Sequence, residues 1–423
     1  MAAATLTQMS TDATFVPNLE RMQRTLAALS SADVGGTPRG GVDRPALSDA
    51  DRIVRDRFAS MVEELEMTVR VDEVGCMYAR RSGSDDDADP VVVGSHLDTV
   101  SPGGRFDGIV GVVAAMEAVQ LLDEQGIRTR RPIDVVNWTG EEGARFPPAL
   151  LASGLVAGQY DAEFVYSRTD NDGVRFGEEL DRIGYRGEAV NRPVRIHASL
   201  ELHIEQGRML EQADVPVGVV SGIEPVRWYT VTVRGRGEHA GGSGPRGRRD
   251  SAVAASRMIV TARDLAVAEK RFTATVGIMS AVPGSTNVVP HTTSFSLDLR
   301  AHAEAEVEAA INSVREAFDR IAGEEGVEFE VEETWRLDAT MFDPALRAQL
   351  MKTAADSGIE AMEVVGVIGH DSLQLSKVTR AAMLFTPTVD GLSHCEEEDS
   401  PWEATCQAVA VLTGVLREVA DEA

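Results

Sequence analysis

Cysteine, lysine and long apolar runs are all scarce in this chain, and each scarcity removes a class of protein. Three cysteines, Cys76, Cys395 and Cys406, stand among 423 residues without a C-x-x-C spacing, so neither a disulfide framework nor a thiolate zinc site is expected. Cys395 follows His394, but neighbours on an extended segment face opposite ways, and the pair is not read as a nucleophile with its base. Lys270, Lys352 and Lys377 are the only lysines, and the formal net charge is -27. A surface of that sign repels nucleic acid and anionic membranes. An acidic chain almost without lysine is expected in a halophile, where high ionic strength screens the self-repulsion. No apolar run reaches the roughly 20 residues that span a bilayer, and MAAATLTQMSTDATF lacks the basic and apolar regions of a signal peptide. A cytoplasmic location is the expectation.

What is present is ordinary for a globular protein, 43% hydrophobic and 26% charged, with length enough for two domains. The chain is organised around Val91 to Val112, VVVGSHLDTVSPGGRFDGIVGV. The apolar run predicts a buried strand, and alternation beyond it puts His96 and Asp98 on one side of its end. That is the arrangement of a metal-binding imidazole oriented by a carboxylate behind it. Turn formers from Ser101 to Arg105 bend the chain before Asp107, which enters a predicted helix over 109–122.

The same pattern recurs along the chain. Helices are predicted over 15–32 and 53–65, the second opened by Ser48 with Asp51, and a strand pair over 67–71 and 76–80. A buried strand over 132–138 ends in Thr139-Gly140-Glu141-Glu142-Gly143, and ASLELHI over 198–204 ends with His203. A further strand over 381–386 leads into VDGLSHCEEED with His394, before a last helix over 401–418. Chemistry in open α/β sheets collects at the carboxyl ends of the strands, where all these residues stand. Between 223 and 334 the order is different. Strands over 227–235, 272–278, 294–299 and 327–332 and helices over 251–265 and 304–321 give β-α-β-β-α-β, a ferredoxin-like unit. The expected architecture is therefore one α/β catalytic domain in two segments, 1–222 and 335–423, with a ferredoxin-like domain, 223–334, inserted between them.

His96, Asp107, Glu142, His203 and His394 are the candidate metal ligands, with Glu141 to spare. Three imidazoles and two carboxylates suit two borderline divalent ions, each with two ligands of its own and Asp107 shared. Ions so paired make water nucleophilic at neutral pH, and Glu141 is placed to take its proton and pass it to a leaving nitrogen. Zinc, manganese, cobalt and nickel all match this donor set.

HLDTVSPGGRFDGIVG, GEEGARF, ELHIEQG, HAG with a downstream Arg and Asp, STNVVPHTTSFSLDLR and GLSH occur in the order of the amidase, hydantoinase and carbamoylase branch of the M20 metallopeptidases. From Val91 onward the chain resembles that branch, which includes N-carbamoyl-L-amino acid hydrolases, β-ureidopropionases and allantoate amidohydrolases. The resemblance implies that His96 and His203 hold one ion, Glu142 and His394 the other, that Asp107 bridges, that Glu141 is the acid/base, and that Asp98 orients His96. It further implies that His239, Asn287 and Arg300 bind substrate, with Gln206 part of the ELHIEQG motif, and that the enzyme is a homodimer acting on a small ureido acid. Arg300 suits a carboxylate, whose two oxygens match its planar fork. His239 and Asn287 can polarise a ureido carbonyl. Cleavage of an N-carbamoyl amino acid to amino acid, ammonia and carbon dioxide is the expected activity. Allantoate hydrolysis, M20 aminoacylase or dipeptidase activity, and a non-catalytic binding role on the same fold are the alternatives.

Two stretches depart from the branch. Gly242-Ser243-Gly244-Pro245 replaces the usual Thr/Ser-Thr-Pro-Met after His-Ala-Gly, and Ala152-Ser153-Gly154 replaces Gly-Ser with a basic residue. Both are expected to touch the substrate pocket and to leave the metals alone. His370-Asp371-Ser372 is read as a structural loop, since three consecutive residues cannot form a catalytic relay. His197, His291 and His302 are read as ordinary surface or strand histidines.

Overall fold

The computed structural model describes residues 15–242, 244 and 247–423, and the chain divides into two compact units. The first comprises residues up to 221 with 342–364 and 369–423, and the second 222–341 with 365–368. The sheet of the first unit runs Thr68–Val71, Met77–Arg81, Ile133–Trp138, Val91–His96, Ala198–Ile204, Arg380–Thr386, Val217–Ile223. Its four central strands, from Ile133–Trp138 to Arg380–Thr386, are parallel, while the flanking pairings are antiparallel. Parallel strands end on one side of a sheet, so His96, the turn after Trp138, His203 and the loop after Thr386 meet at a single edge.

Covered strands of this kind read as continuous apolar runs, and every residue of Val91–His96, Ile133–Trp138 and Ala198–Ile204 is buried. The helix Ile109–Glu124 is apolar on all sides because the sheet covers one flank and the helices Leu19–Leu29 and Trp402–Asp421 cover the other. Val112, Val113, Met116 and Val119 share one core with Val91, Val93, Leu200, Leu384 and Leu416. Ser48 caps the helix Asp49–Glu63 as expected, its side chain accepting from the Asp51 N–H at 3.1 Å.

In the second unit the strands Met279–Val282, Thr292–Ala301, Val226–Arg234 and Glu328–Leu337 lie side by side in that order, all antiparallel, with Phe272–Thr275 also on Thr292–Ala301. This is the ferredoxin-like order. Burial alternates strictly along Thr292–Ala301, whose buried face packs with the helices Ser251–Glu269 and Glu304–Glu325 around Tyr229, Val231, Phe295, Leu297, Met258 and Phe318. Two details differ from the sequence expectation. The strand expected over 272–278 stops at Thr275 and a new one, Met279–Val282, follows; it is exposed at every position, so no alternation marked it. The strand expected over 327–332 continues to Leu337; a register shift between Glu333 and Trp335 interrupts the alternation there, so the sequence pattern stops short of the strand. No helix among the described residues is long and apolar enough to cross a membrane.

Candidate metal centre

His96 and His203 end two adjacent parallel strands and are fully enclosed. Each ring is anchored through Nδ1 to a main-chain oxygen: His96 to Asp98 at 2.9 Å, His203 to Ile204 at 3.0 Å. A carbonyl only accepts, so Nδ1 carries the proton and Nε2 the lone pair, which is how a metal-ligating imidazole is prepared. Both Nε2 atoms face Oδ1 of Asp107, at 3.8 Å from His96 and 3.1 Å from His203. From the loop after Arg380–Thr386, His394 brings Nε2 to 3.1 Å from the other Asp107 oxygen and 3.5 Å from Glu142 Oε2. Asp107 is thus shared between two groups, His96-Asp107-His203 and Asp107-Glu142-His394, in each of which the ligand atoms lie within 4.8 Å of one another. Gln206 donates to Asp107 Oδ2 at 3.0 Å and to Ser393 Oγ at 2.9 Å.

The turn that presents Asp107 is held from below by Glu398. Its Oε1 accepts from the N–H groups of Phe106 at 2.9 Å and Asp107 at 3.0 Å, and its Oε2 accepts from the Ser393 hydroxyl at 2.7 Å. Gly104 lies directly on this carboxylate, leaving no room for a Cβ, and Gly108, at φ 66°, lies as closely on the His96 ring. Those close approaches account for Gly104 and Gly108 of SPGGRFDG. Glu398 stands in the acidic run of VDGLSHCEEED, yet it is buried.

Asp98 acts differently from the sequence expectation. Only its main-chain oxygen touches His96; its carboxylate accepts from the N–H groups of Gly140 at 3.2 Å and Glu141 and Glu142 at 3.4 Å. It therefore shapes the Glu-Glu turn. Within that turn Glu142 Oε1 accepts from Val100 N–H at 3.2 Å, and Glu141 Oε2 stands 3.5 Å from His96 Nε2.

Burial governs the electrostatics. It pushes His96 down to about 4, so the ring is neutral at neutral pH. It raises Glu141 well above the ordinary carboxylate value, helped by the charges of Asp371 and Glu142, and raises Glu142 likewise, helped by Asp107 and Asp98. Burial would also raise Asp107, but the imidazoles of His203 and His394, when they carry a second proton, hold it well below its ordinary value, the positive charge that a metal ion would otherwise supply. An enclosed carboxylate facing the Nε2 edges of three imidazoles, with two further carboxylates resisting ionisation nearby, is a donor set short of positive charge, and it fits divalent cations.

A third group, Glu201-His203-His370, also brings its ligand atoms together. The oxygens of Glu201 are already engaged, one by Ser95 Oγ at 2.8 Å and the other by Ser372 through Oγ at 2.7 Å and N–H at 3.2 Å. It braces the floor of the site. His370, read from sequence as part of a structural loop, lies buried with its ring 4.2 Å from that of His203.

Sequence reasoning missed the contribution of the N-terminal segment. Arg44 is fully buried and donates to the main-chain oxygens of Leu97 at 2.6 Å, Leu29 at 2.7 Å and Val34 at 2.8 Å, gripping the chain between His96 and Asp98. Arg55 pairs with buried Asp51 at 3.0 Å and donates to Thr139 Oγ1 at 3.1 Å, just before the Glu-Glu turn. A polar residue beside a predicted helix start is a weak signal, and nothing local distinguishes these arginines from surface ones.

The second unit brings together two of its expected residues. His239 pairs in register with Val288, next to Asn287, whose main-chain oxygen accepts from Ala240 N–H at 2.9 Å. Arg300 lies on Thr292–Ala301, ion-paired with Asp298 at 2.9 Å. Of the departing loop, Ser243 and Pro245 lie outside the described residues. Ala152, Ser153 and Gly154 are buried in the short helix Leu151–Val156, where the Tyr160 ring packs against Gly154 at 2.6 Å from where a Cβ would lie. His197 meets Glu422 at 2.8 Å, His291 meets Thr292 Oγ1 at 2.8 Å, and His302 is hydrogen-bonded to Glu224.

An α/β sheet that gathers a His/Asp/Glu cluster at its strand ends, with a ferredoxin-like unit inserted, defines a hydrolase that uses divalent metal. The chain belongs to Peptidase family M20/M25/M40, whose profile matches residues 92–418. It is 36% identical over 405 residues to the N-carbamoyl-L-amino-acid amidohydrolase of Rhizobium meliloti, covering 96% of this chain and 97% of that one. It is 31% identical to the allantoate amidohydrolase of Bacillus subtilis (strain 168), covering 92% and 95%. Among solved structures, an amidase of the hydantoinase/carbamoylase family from Burkholderia multivorans superposes with a TM-score of 0.89 at 38% identity, covering 97% of this chain and 100% of that one.

Proposed function

We propose that this protein hydrolyses the carbon–nitrogen bond of N-carbamoyl-L-amino acids, releasing the amino acid, ammonia and carbon dioxide. The observation that carries the reading is the convergence of three imidazoles and Glu142 on the single carboxylate of Asp107, with Glu141 Oε2 beside them at 3.5 Å from His96. Two divalent ions are proposed, zinc, manganese, cobalt or nickel: His96 and His203 would hold one, Glu142 and His394 the other, and Asp107 would serve both. When bound they supply a nucleophilic water at neutral pH and polarise the carbonyl. Glu141 takes the proton of the attacking water on its carboxylate and delivers it to the leaving nitrogen; burial raises its pKa above the ordinary carboxylate value, which favours its holding that proton between the two transfers. Gln206 holds Asp107 in place. Arg300 clamps the substrate carboxylate, His239 and Asn287 stabilise charge developing on the ureido oxygen, and the second unit carries the contacts of a homodimer.

The test is ammonia release by the metal-loaded protein, in molar salt, from N-carbamoyl-L-amino acids, N-carbamoyl-β-alanine and allantoate. Turnover of N-carbamoyl-L-amino acids alone supports the reading. Turnover of allantoate alone establishes the second reading, which the Bacillus subtilis relative favours. Glu141→Gln is expected to lower kcat by about 10²- to 10⁴-fold with metal content unchanged; an active variant refutes its role.

A further inference from the structure

We propose that Asp298 is the positioning residue of the Arg300 clamp, and that Trp228 holds Asp298 in its turn. This deepens the reading above and rests on it for the role of Arg300. Asp298 and Arg300 are two residues apart on Thr292–Ala301, so their side chains leave the same face of the sheet. Trp228 lies directly opposite Asp298 on the neighbouring strand, and Trp335 directly opposite Trp228 on the next. Their intervening neighbours Leu297, Leu299, Tyr229 and Val231 are the ones buried under the helices. The two tryptophans therefore stand on the open face, Trp228 at 44% exposure and Trp335 at 37%, with ring centroids 4.5 Å apart.

A guanidinium has five N–H donors. Arg300 directs Nε to Asp298 Oδ1 at 3.0 Å, with a longer 3.3 Å approach to Oδ2, and one terminal nitrogen to Oδ2 at 2.9 Å. Its other terminal nitrogen donates to the Val367 main-chain oxygen at 2.8 Å. Three donors are thus committed, and one N–H on each terminal nitrogen remains for the oxygens of a ligand carboxylate. The plane of the fork is set by Asp298, whose Oδ2 also accepts from the Trp228 indole N–H at 2.9 Å. Contact with the Trp335 ring, tilted at 38° to it, keeps the indole from turning away.

Asp298 has two opposed effects on an anionic ligand. It orients the fork, which favours binding, and it neutralises the cation, which opposes it. The side chains are 31% and 24% exposed, so water and salt weaken the second effect, while the loss of orientation in a long flexible side chain is not screened. Orientation wins.

The experiment measures KM and kcat of the full-length, metal-loaded enzyme on an N-carbamoyl-L-amino acid and on the corresponding carboxamide, which lacks the anionic group. Asp298→Ala is expected to raise KM for the acid about tenfold, the loss of one well-oriented charged contact, with kcat, metal content and the carboxamide kinetics unchanged. Asp298→Asn restores an acceptor and is expected to recover part of that loss. Trp228→Phe, which keeps an aromatic ring and loses the N–H, is expected to raise KM for the acid less than Asp298→Ala does. An unchanged or lowered KM in Asp298→Ala, or an equal change on both compounds, overturns the proposal. Arg300→Ala separates the two levels: if it leaves KM for the acid unaltered, the clamp reading itself fails, and if it raises KM while Asp298→Ala does not, only the positioning role fails. Absence of turnover by the unaltered enzyme overturns both.

Discussion

Replacing Glu398 by alanine tests whether Asp107 is held by its own turn or by the carboxylate beneath it. The side chain is 2% exposed and accepts three hydrogen bonds, two from the backbone of Phe106 and Asp107 and one from Ser393. Truncation leaves two buried N–H groups without an acceptor, at about 1–3 kcal/mol each. The side chain also leaves a cavity, so a loss of about 3–6 kcal/mol is expected, set against the relief of burying a carboxyl whose pKa burial has raised. At about 2–4 °C per kcal/mol, Tm falls by roughly 6–24 °C. The functional consequence is separate. Outer partners of metal ligands are worth about 10- to 100-fold in metal affinity or activity, so the variant should release its metal to a competing chelator at a correspondingly lower concentration. Glu398→Gln keeps one acceptor oxygen for the two N–H groups and should lose much less on both counts. Scanning calorimetry and chelator competition monitored by metal analysis are the assays. A Glu398→Ala protein with unchanged Tm and unchanged chelator resistance would refute the reasoning.

Other perturbations follow from the same geometry. Asp72 is pushed up to about 6 by burial, against an ordinary 3.8, although Val74, Cys76 and Tyr78 all donate to it. The folded state then keeps a proton that the unfolded chain gives up, so its burial cost appears as pH rises through that interval and is complete above it. Asp72→Asn removes this pH dependence, and its stability relative to the parent should improve by about 3 kcal/mol between about pH 4 and pH 7 in urea unfolding; a difference independent of pH would contradict it. Arg55→Met leaves the buried carboxylate of Asp51 without its partner and should cost about 3–5 kcal/mol, while the double variant Asp51→Leu, Arg55→Met should recover most of the loss. Gly108→Ala, at φ 66° and against the His96 ring, should lower metal affinity measured by isothermal titration more than it lowers activity at saturating metal.

How far the sequence is legible follows from where each residue's partner comes from. His96, Glu142 and His203 stand at or just beyond the ends of apolar runs, and parallel strands bring their carboxyl ends to one edge, so the gathering of these side chains in one place can be read from strand pattern alone. Asp107 and His394 are legible for a related reason, since Gly-rich turns return the chain to the same edge. Alternation then misleads at Asp98. It puts His96 and Asp98 on one side only while the strand lasts, and the strand ends at His96, so the aspartate turns to the backbone of the Glu-Glu turn.

The braces are illegible for a different reason. Arg44 spends its guanidinium on the main-chain oxygens of Leu29, Val34 and Leu97, and Glu398 accepts from the main chain of Phe106 and Asp107. Every residue carries such a carbonyl and, proline excepted, such an N–H, so a partner of this kind leaves no mark in the sequence. A buried arginine in GGVDRPALSDADR and a buried glutamate in CEEED look like the solvated charges around them. Residues whose partners are side chains at fixed spacing are the contrasting case: in SFSLDLR the two-residue period puts Asp298 beside Arg300, while Trp228 joins them only through the register of the neighbouring strand. The cluster at the centre of a site of this kind can therefore be read from one sequence, and its supports are recovered only where the register and the backbone partners are known.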